Sequence, residues 1–158
     1  PGHQYEWAWL FLRWSALCPN ARSATRAAES AQRLIALAEQ HGVDRTRGVV
    51  INKILTDTAV SDPQARLWPQ TERLKAVCAM AEMTNDARYW RAAAEAAETL
   101  LKYLSTPVPG LWYDKMTIEG TFIDEPAPAS SFYHIVCAID VMRSALARAE
   151  RRDYQEMG

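Results

Sequence analysis

Apolar residues of this chain fall into five stretches with helical spacing, and the stretches are of two kinds. Residues from about 5 to 17 and from about 70 to 84 are apolar on nearly every face, which predicts buried helices. Residues from about 21 to 41 and from about 86 to 104 carry apolar side chains on one stripe, which predicts amphipathic helices. A fifth helix is predicted from about 131 to 150. The alternation favours an inner layer of helices shielded by an outer layer.

The chain also repeats itself. Cys18, Cys78 and Cys137 are spaced by 60 and 59 residues, each within an apolar helical stretch. The strings GVVINKI and GLWYDKM align at an offset of 62 residues, and the same offset pairs Glu72 with His134. Each string lies in a long connection, and β-branched residues around Asn52 predict a short hairpin there. A fixed period of this kind indicates stacked helical hairpins.

Composition narrows the class of protein. The 158 residues are 49% hydrophobic and 23% charged, which is typical of one soluble globular domain. The net charge is −1 and basic residues are scattered, so we expect no nucleic-acid partner. The first apolar stretch is about a dozen residues long and contains Arg13, so we expect no membrane partner.

The cysteines bear on the cellular compartment, and the first residues bear on whether the chain is part of a longer one. Three cysteines without a C-x-x-C pair form neither a zinc framework nor a disulfide scaffold, and they favour a reducing cytoplasm. The chain begins Pro1-Gly2-His3 without Met, which suggests that it was cut from something longer. Five helices cover less than half of a ring of six hairpins. The open, apolar edge is expected to be covered by a missing N-terminal half or by another protomer.

Unusual polar and aromatic residues lie where the inner helices begin. PGHQYEW opens the first of these helices, RLWPQTER the second and ASSFYH the third. In an inner ring of parallel helices all three starts lie at one end. The free N–H groups of helix starts would favour an anion at that end.

These strings carry a resemblance to a known family. PGHQYEWAWL, RLWPQTERLKA, GLWYDK and PAPASSFYHIVCAI resemble the N-acylglucosamine 2-epimerase superfamily over essentially the whole chain. The resemblance implies an all-α fold, the C-terminal part of an (α/α)6 barrel, with short β-hairpins in the long loops. It assigns residues 1–150 to that barrel part and leaves 151–158 as a polar tail, which we expect to fray.

The resemblance also implies a mechanism without a cofactor or a metal ion. His3 and His134 match two general acid/base histidines, and we assign His134 as the base at C2 and His3 as its acid partner. Glu6 matches an acid that positions the first histidine or a sugar hydroxyl. Trp68 and Glu72 match residues that line the sugar pocket. The string PASSFYH is similar to that of the mannose-isomerase branch of the family, which favours a monosaccharide over a disaccharide as the substrate.

Histidine chemistry fits this expectation, because an imidazole exchanges protons near neutral pH. Removing the C2 proton of an open-chain aldose gives an enediol. Return of the proton to C1 gives the ketose, and return to the other face of C2 gives the epimer. We therefore expect an aldose–ketose isomerase of the D-mannose/D-fructose type, acting on the free sugar or its 6-phosphate, with a 2-epimerase of N-acylglucosamine or a related sugar as the alternative.

Other interpretations remain open on the residues alone. A glycoside hydrolase would need two carboxyl groups, for which Glu6, Glu72, Asp114 and Asp124 are candidates. A non-catalytic half-barrel is a third class. Glu72 could instead cap its helix. The pairs Asn52-Lys53 and Asp114-Lys115 are interpreted as structural, and the arginines between 22 and 33 as a solvated helix face.

Overall fold

The computed structural model describes residues 1–156, which form five α-helices and six short strands. The helices are α1 (Gly2–Leu17), α2 (Ala24–His41), α3 (Leu67–Thr84), α4 (Ala87–Leu104) and α5 (Ser131–Glu156). The predicted all-α class with short hairpins in the long connections is confirmed.

The helices form two layers. α1, α3 and α5 lie side by side, α2 packs on α1, and α4 packs on α3. The starts of the three inner helices lie at one end, because the rings of His3 and His134 both contact Trp68. At the other end Glu82, near the end of α3, pairs with Arg148 of α5. The inner helices are therefore parallel, as the sequence predicts.

α3 is the centre of the structure. It is covered by α1 and α5 on its flanks and by α4 behind. Its apolar residues Leu74, Val77 and Met80 have no exposed surface. Even the polar side chains of its first turns are buried, so each of them needs a partner inside the protein. Those partners build the site described below.

α1 differs from its prediction. The sequence predicts a helix buried on nearly every face, but the side chains of Trp7 and Leu17 are 54% and 71% exposed. The reason is that α1 packs against α2 and α3, and no other described helix covers its third side. α5 has a similar open face, with Phe132 and Val136 exposed. The apolar edge expected of an open ring is therefore present on both outer members of the inner layer.

The long connections are pinned by three antiparallel strand pairs. β1 (Val43–Asp44) pairs with β2 (Val49–Val50), β3 (Lys53–Ile54) with β4 (Val60–Asp62), and β5 (Ala65–Arg66) with β6 (Lys115–Met116). The second pair is the hairpin predicted beside Asn52. The third joins the two connections, and Leu67 N donates to Asp114 O at 2.8 Å, which fixes where α3 begins. Gly48 and Gly110, equivalent in the repeat, both have left-handed backbones with φ of 74° and 86°.

The helix ends also depart from the predicted bounds. α1 begins at Gly2 rather than near residue 5, and α2 begins at Ala24 rather than near residue 21. α5 continues to Glu156, past the helix end predicted near residue 150. Arg152 Nη1 donates to the Glu82 carbonyl at 2.9 Å and holds this last stretch against α3. Residues 157 and 158 lie outside the described residues.

The expectations about a membrane and about the cysteines can be compared with the structure. Within residues 1–156, none of the helices combines the length and the apolarity that a bilayer crossing requires. Cys78 is buried, and burial together with the nearby charge of Glu82 raises the pKa of its thiol to about 12, so it packs as a small apolar group. Cys18 and Cys137 are exposed.

Candidate active site

Three aromatic rings meet at the common end of the inner helices. The indole of Trp68, in the first turn of α3, lies between the two histidines. Its ring centroid is 5.0 Å from that of His3 and 6.0 Å from that of His134. His3 is exposed and the His134 side chain is 15% exposed, so both imidazoles can be reached from solvent. The structure thus brings together two residues that are far apart in sequence.

The close approach of α1 to Trp68 depends on glycine. A Cβ atom built on Gly2 would lie 2.4 Å from Cη2 of the Trp68 indole, well inside van der Waals contact. Gly2 therefore allows the indole to pack directly against the start of α1. Because His3 follows Gly2, this contact sets the distance between the His3 imidazole and the rest of the site.

His134 is anchored by a buried carboxylate. Its Nδ1 lies 2.8 Å from Oε1 of Glu72, whose side chain has no exposed surface. An ionised Glu72 can only accept, and in that state Nδ1–H of His134 donates and Nε2 keeps its lone pair. Glu72 makes no cap to its helix, which begins with Arg66 as N-cap and has no side-chain cap bond. The capping interpretation of Glu72 is therefore wrong.

The second oxygen of Glu72 faces a buried lysine. Lys75 Nζ lies 2.7 Å from Glu72 Oε2, as an ion pair rather than a well-aligned hydrogen bond. The ammonium also lies 4.3 Å from the ring centroid of Trp9 on α1. Glu72 therefore sits between a cation and the imidazole of His134. The sequence predicts Glu72 as a pocket-lining residue, but both of its oxygens already have protein partners.

Glu6 and Tyr133 complete the cluster. Glu6 is half-buried and follows His3 by three residues, so it lies on the same face of α1. The Tyr133 ring centroid is 4.0 Å from that of His134. Partial burial, with the charges of Glu72 and Glu6 and of Cys137, raises the pKa of the Tyr133 phenol. The charge of Glu6 therefore acts on the same group of side chains.

Asp114 fastens the start of α5 beside the start of α3. Its buried carboxylate accepts from Arg66 Nη2 at 3.0 Å and more weakly from Ser131 Oγ at 3.4 Å. Lys115 pairs with Glu125 in the same connection. In the first connection, Asn52 Nδ2 donates to Asp62. These contacts support the structural interpretation of both Asx-Lys pairs.

A second charge cluster, centred on the buried Arg73, lies on a different face of α3. Arg73, the residue after Glu72, donates from Nε and Nη2 to the two oxygens of Glu39 on α2, at 2.7 and 3.0 Å. Nη2 also lies 3.2 Å from Glu95 on α4, and the hydroxyl of Tyr5 on α1 donates to Glu39 at 2.8 Å. This cluster joins four helices behind the site.

Other candidate features lie apart from the histidines. A depression of about 700 Å³ is lined by the second long connection, where Trp112 stacks on Phe132. His41 is half-buried at the end of α2, and Arg22, Arg26 and Arg33 are exposed, as expected for a solvated helix face. Among the described residues, no three His, Cys, Asp or Glu side chains are grouped to hold a metal ion.

The sequence interpretation missed three contributors to the site. Lys75 had a signal, because it follows Glu72 by three residues on a helix and carries the opposite charge. Gly2 and Tyr133 were read only as parts of longer strings. The role of Gly2 depends on a contact with Trp68 of another helix, and Tyr133 contacts the neighbouring His134 on α5.

Parallel inner helices, an outer layer and two imidazoles at the helix starts define a helical-hairpin protein with a histidine site. The N-acylglucosamine 2-epimerase (GlcNAc 2-epimerase) family model matches residues 1–138 of the chain. The chain therefore belongs to the N-acylglucosamine 2-epimerase family.

Two similar proteins extend this finding. A protein of Rhizobium meliloti (strain 1021) described as mannose-6-phosphate isomerase is 46% identical over 151 residues, covering 94% of this chain and 38% of that protein. A crystal structure of a D-mannose isomerase superposes with a TM-score of 0.77 and 24% identity, over 91% of this chain and 37% of that one. The latter shows an α/α-barrel fold. This chain spans well under half the length of either protein.

Proposed function

We propose that the protein containing this chain is a sugar isomerase that interconverts an aldose and a ketose, of the D-mannose/D-fructose type. The observation that carries the proposal is the pair of imidazoles, His3 and His134, on either side of one indole at the open end of the inner helices. The names of the two similar proteins support the substrate class. The sugar is a monosaccharide, either free or as its 6-phosphate.

In the proposed reaction, Nε2 of His134 removes the proton from C2 of the open-chain aldose. The Nδ1–H bond to Glu72 orients the ring and supports the positive charge that it gains. His3 protonates the carbonyl oxygen at C1, which gives a neutral cis-enediol. Loss of the proton from the C2 hydroxyl and return of a proton to C1 give the ketose. The reaction moves protons without net oxidation, so it needs no redox cofactor.

The remaining site residues have supporting roles in this proposal. The exposed side of the Trp68 indole stacks on the sugar, and Glu6 binds a sugar hydroxyl or positions His3. Because Glu72 is fully buried with both oxygens occupied, it acts on the sugar through His134 rather than by direct contact. The same geometry argues against Glu72 as one of the two free carboxyl groups of a hydrolase.

The test is turnover of the protein as its gene encodes it, with D-mannose, D-fructose and their 6-phosphates in heavy water. His134→Asn should lower the turnover by at least about 10²-fold, the size expected for loss of a general base. His41→Asn, a histidine on α2 outside the site, is the matched control and should leave the rate unchanged. Labelled ketose is the expected product. A labelled C2 epimer without ketose would replace the isomerase by a 2-epimerase, and full turnover by His134→Asn would end the proposal.

The outer helices of the inner layer, α1 and α5, each have an exposed apolar face. We propose that residues 1–150 are one part of an α/α-barrel domain and that further helical hairpins, from the same polypeptide or from another protomer, cover the exposed faces of α1 and α5. Trp7, Leu10, Trp14 and Leu17 recur at helical spacing along that face of α1. An apolar stripe of this length is seldom left in water.

Leu17→Glu tests that covering. In the gene-encoded protein it should lower the free energy of unfolding by about 2–4 kcal/mol, because the introduced charge would be buried. Leu37→Glu on α2 is the matched control, since Leu37 is also exposed on a helix but lies in the outer layer. Thermal and urea denaturation report both variants. Equal, small losses would mean that the edge of α1 is open to solvent.

A further inference from the structure

Lys75 is an unusual residue for its position. It lies in the middle of the most buried helix, and its side chain is only 6% exposed. Removing an ammonium group from water costs several kcal/mol unless a partner compensates for it. An uncharged side chain would fill the same space without that cost. The lysine at this buried position therefore indicates that its positive charge has a role.

The surroundings of the ammonium are specific. Nζ lies 2.7 Å from Oε2 of Glu72 and 4.3 Å from the ring centroid of Trp9. The indole face of Trp9 replaces part of the lost water through its negative quadrupole. Within residues 1–156, the polar partner of this ammonium is Glu72. The positive charge of Lys75 therefore acts mainly on the Glu72 carboxylate.

Glu72 needs a compensating charge. Its side chain has no exposed surface, and a carboxylate isolated in an apolar interior tends to take up a proton. Its two recorded partners are the ammonium of Lys75 and the imidazole of His134. Without the ammonium, a neutral carboxyl group facing a neutral imidazole would be the less costly arrangement.

The charge of Glu72 decides the tautomer of His134. A charged carboxylate can only accept, so it holds the proton on Nδ1 and leaves the lone pair on Nε2. A neutral carboxyl group can donate its O–H to Nδ1, and the ring proton then resides on Nε2. That tautomer has no lone pair at Nε2 with which to take a proton from a substrate.

We propose that Lys75 is a positioning residue that keeps Glu72 charged and thereby fixes the Nδ1–H tautomer of His134. The inference rests on the proposed function, in which Nε2 of His134 is the base. The ammonium of Lys75 lies against Glu72 and the Trp9 ring, so it acts on the imidazole through Glu72.

Other titratable groups surround the His134 ring. His3 lies on α1 with the Trp68 indole between it and His134, and the charge of Glu6, also on α1, acts on Tyr133. Tyr133 and Cys137 lie on α5 itself. They are unchanged in a Lys75 variant, so a comparison of that variant with the wild type isolates the lysine charge.

The experiment uses the gene-encoded protein labelled with ¹⁵N-histidine. The ¹⁵N shifts of His134 in its neutral form report which nitrogen carries the proton. The wild type should show Nδ1–H, and Lys75→Met, which keeps the length of the side chain without its charge, should show mainly Nε2–H. In Lys75→Met, kcat should fall about 10–100-fold while KM stays within about twofold of the wild-type value. This is the size of effect expected when a residue that orients a catalytic group is removed.

Two controls make the outcome specific. Lys102→Met removes an exposed lysine of α4 and should change neither the tautomer nor the kcat. Lys75→Arg retains the positive charge and should restore Nδ1–H even if tighter packing lowers stability. An Nδ1–H ring in folded Lys75→Met would overturn the proposal. If Lys75→Met does not fold, an Nε2–H ring in the wild type would overturn it equally.

The proposal and the function on which it rests fail differently. If His134→Asn keeps full turnover, the proposed function is wrong, while the ¹⁵N shifts still report the action of Lys75 on the ring. If His134→Asn is inactive but Lys75→Met keeps both the wild-type tautomer and the wild-type kcat, the inference about Lys75 alone is wrong.

Discussion

Two consecutive buried residues of α3, Glu72 and Arg73, belong to charge clusters on different faces of the helix. Behind the helix, Arg73 donates to Glu39 and Glu95, and Tyr5 donates to the same Glu39. On the inner side, Glu72 joins Lys75 and His134, and the imidazole remains partly exposed. In the rear cluster the buried Arg73 is paired with carboxylates of the protein itself, and the side chain of one of them, Glu95, is 58% exposed. The inner cluster ends in a group that can exchange a proton with something outside the protein.

The difference shows how one buried helix can serve two purposes. Burial makes every unpaired charge costly on both faces. On the rear face that cost favours a single arrangement of four helices. On the inner face it fixes the orientation of one imidazole. We therefore expect changes at the rear cluster to act on stability, and changes at the inner cluster to act on turnover as well.

The largest expected effect is on the rear face. Arg73→Met removes the cation that both Glu39 oxygens contact and leaves a buried carboxylate without its main partner. The free energy of unfolding should fall by about 3–5 kcal/mol. The kcat per folded molecule should stay near the wild-type value, measured where the variant is folded. A large loss of kcat in a stably folded variant would show that the two faces are not separable.

Removal of the inner pair should give the opposite pattern. In the double variant Glu72→Gln/Lys75→Met both buried charges disappear, so no unpaired charge remains and the free energy of unfolding should change by less than about 1.5 kcal/mol. The kcat should still fall about 10–100-fold, because a neutral amide cannot hold His134 as a carboxylate does. Urea denaturation and initial rates on one preparation separate the two quantities. A wild-type kcat would contradict the role given to the pair.

The smallest expected effect is a dependence on pH at the rear face. Burial alone would raise the pKa of Glu39, but hydrogen bonds and charge from Arg73, with contributions from Tyr5 and Arg45, outweigh it and hold the pKa below its ordinary value of 4.5. The stabilisation is complete above about pH 4.5, where both the folded and the unfolded chain carry the charge. As the pH falls below that value the unfolded chain binds the proton first, so the stabilisation is lost, by at most about 1.4 kcal/mol per pH unit.

Glu39→Gln provides the comparison for that measurement. Other carboxylates also titrate in acid, so the informative quantity is the difference in unfolding free energy between the wild type and the variant. This difference should be constant from about pH 7 to about pH 5 and should narrow as the pH falls through the folded-state pKa of Glu39. Urea denaturation across the series measures it. A difference that stays constant down to about pH 3 would contradict the assigned cause.

Much of the fold could be predicted because it depends on local periodicity. The five helices, the hairpin beside Asn52 and the parallel starts of the inner helices follow from apolar spacing and the repeat. The exact helix starts could not be predicted in this way. α1 gains its first turn at Gly2 through packing against Trp68, and α5 continues past residue 150 because Arg148 and Arg152 bind Glu82, some 66 and 70 residues away.

The candidate site could likewise be predicted only in part from the sequence. The helix starts and their short strings indicate His3, Trp68 and His134, and the structure places these rings together. Their chemical roles remain proposals. The spacing of Glu72 and Lys75 indicates an ion pair but not its burial, since an i to i+3 pair could equally have lain on a solvated face. Only the positions of α1 and α5 bury it.

The sequence by itself determined that this protein is built from stacked helical hairpins with polar residues at the inner helix starts, because hydrophobic periodicity and repeats act over a few turns of chain. Tertiary structure alone decided which apolar helix is fully covered, that Arg73 meets Glu39 and that Glu72 meets His134. These are contacts between residues far apart in sequence, and burial gives them their strength by removing the water that would otherwise screen the charges.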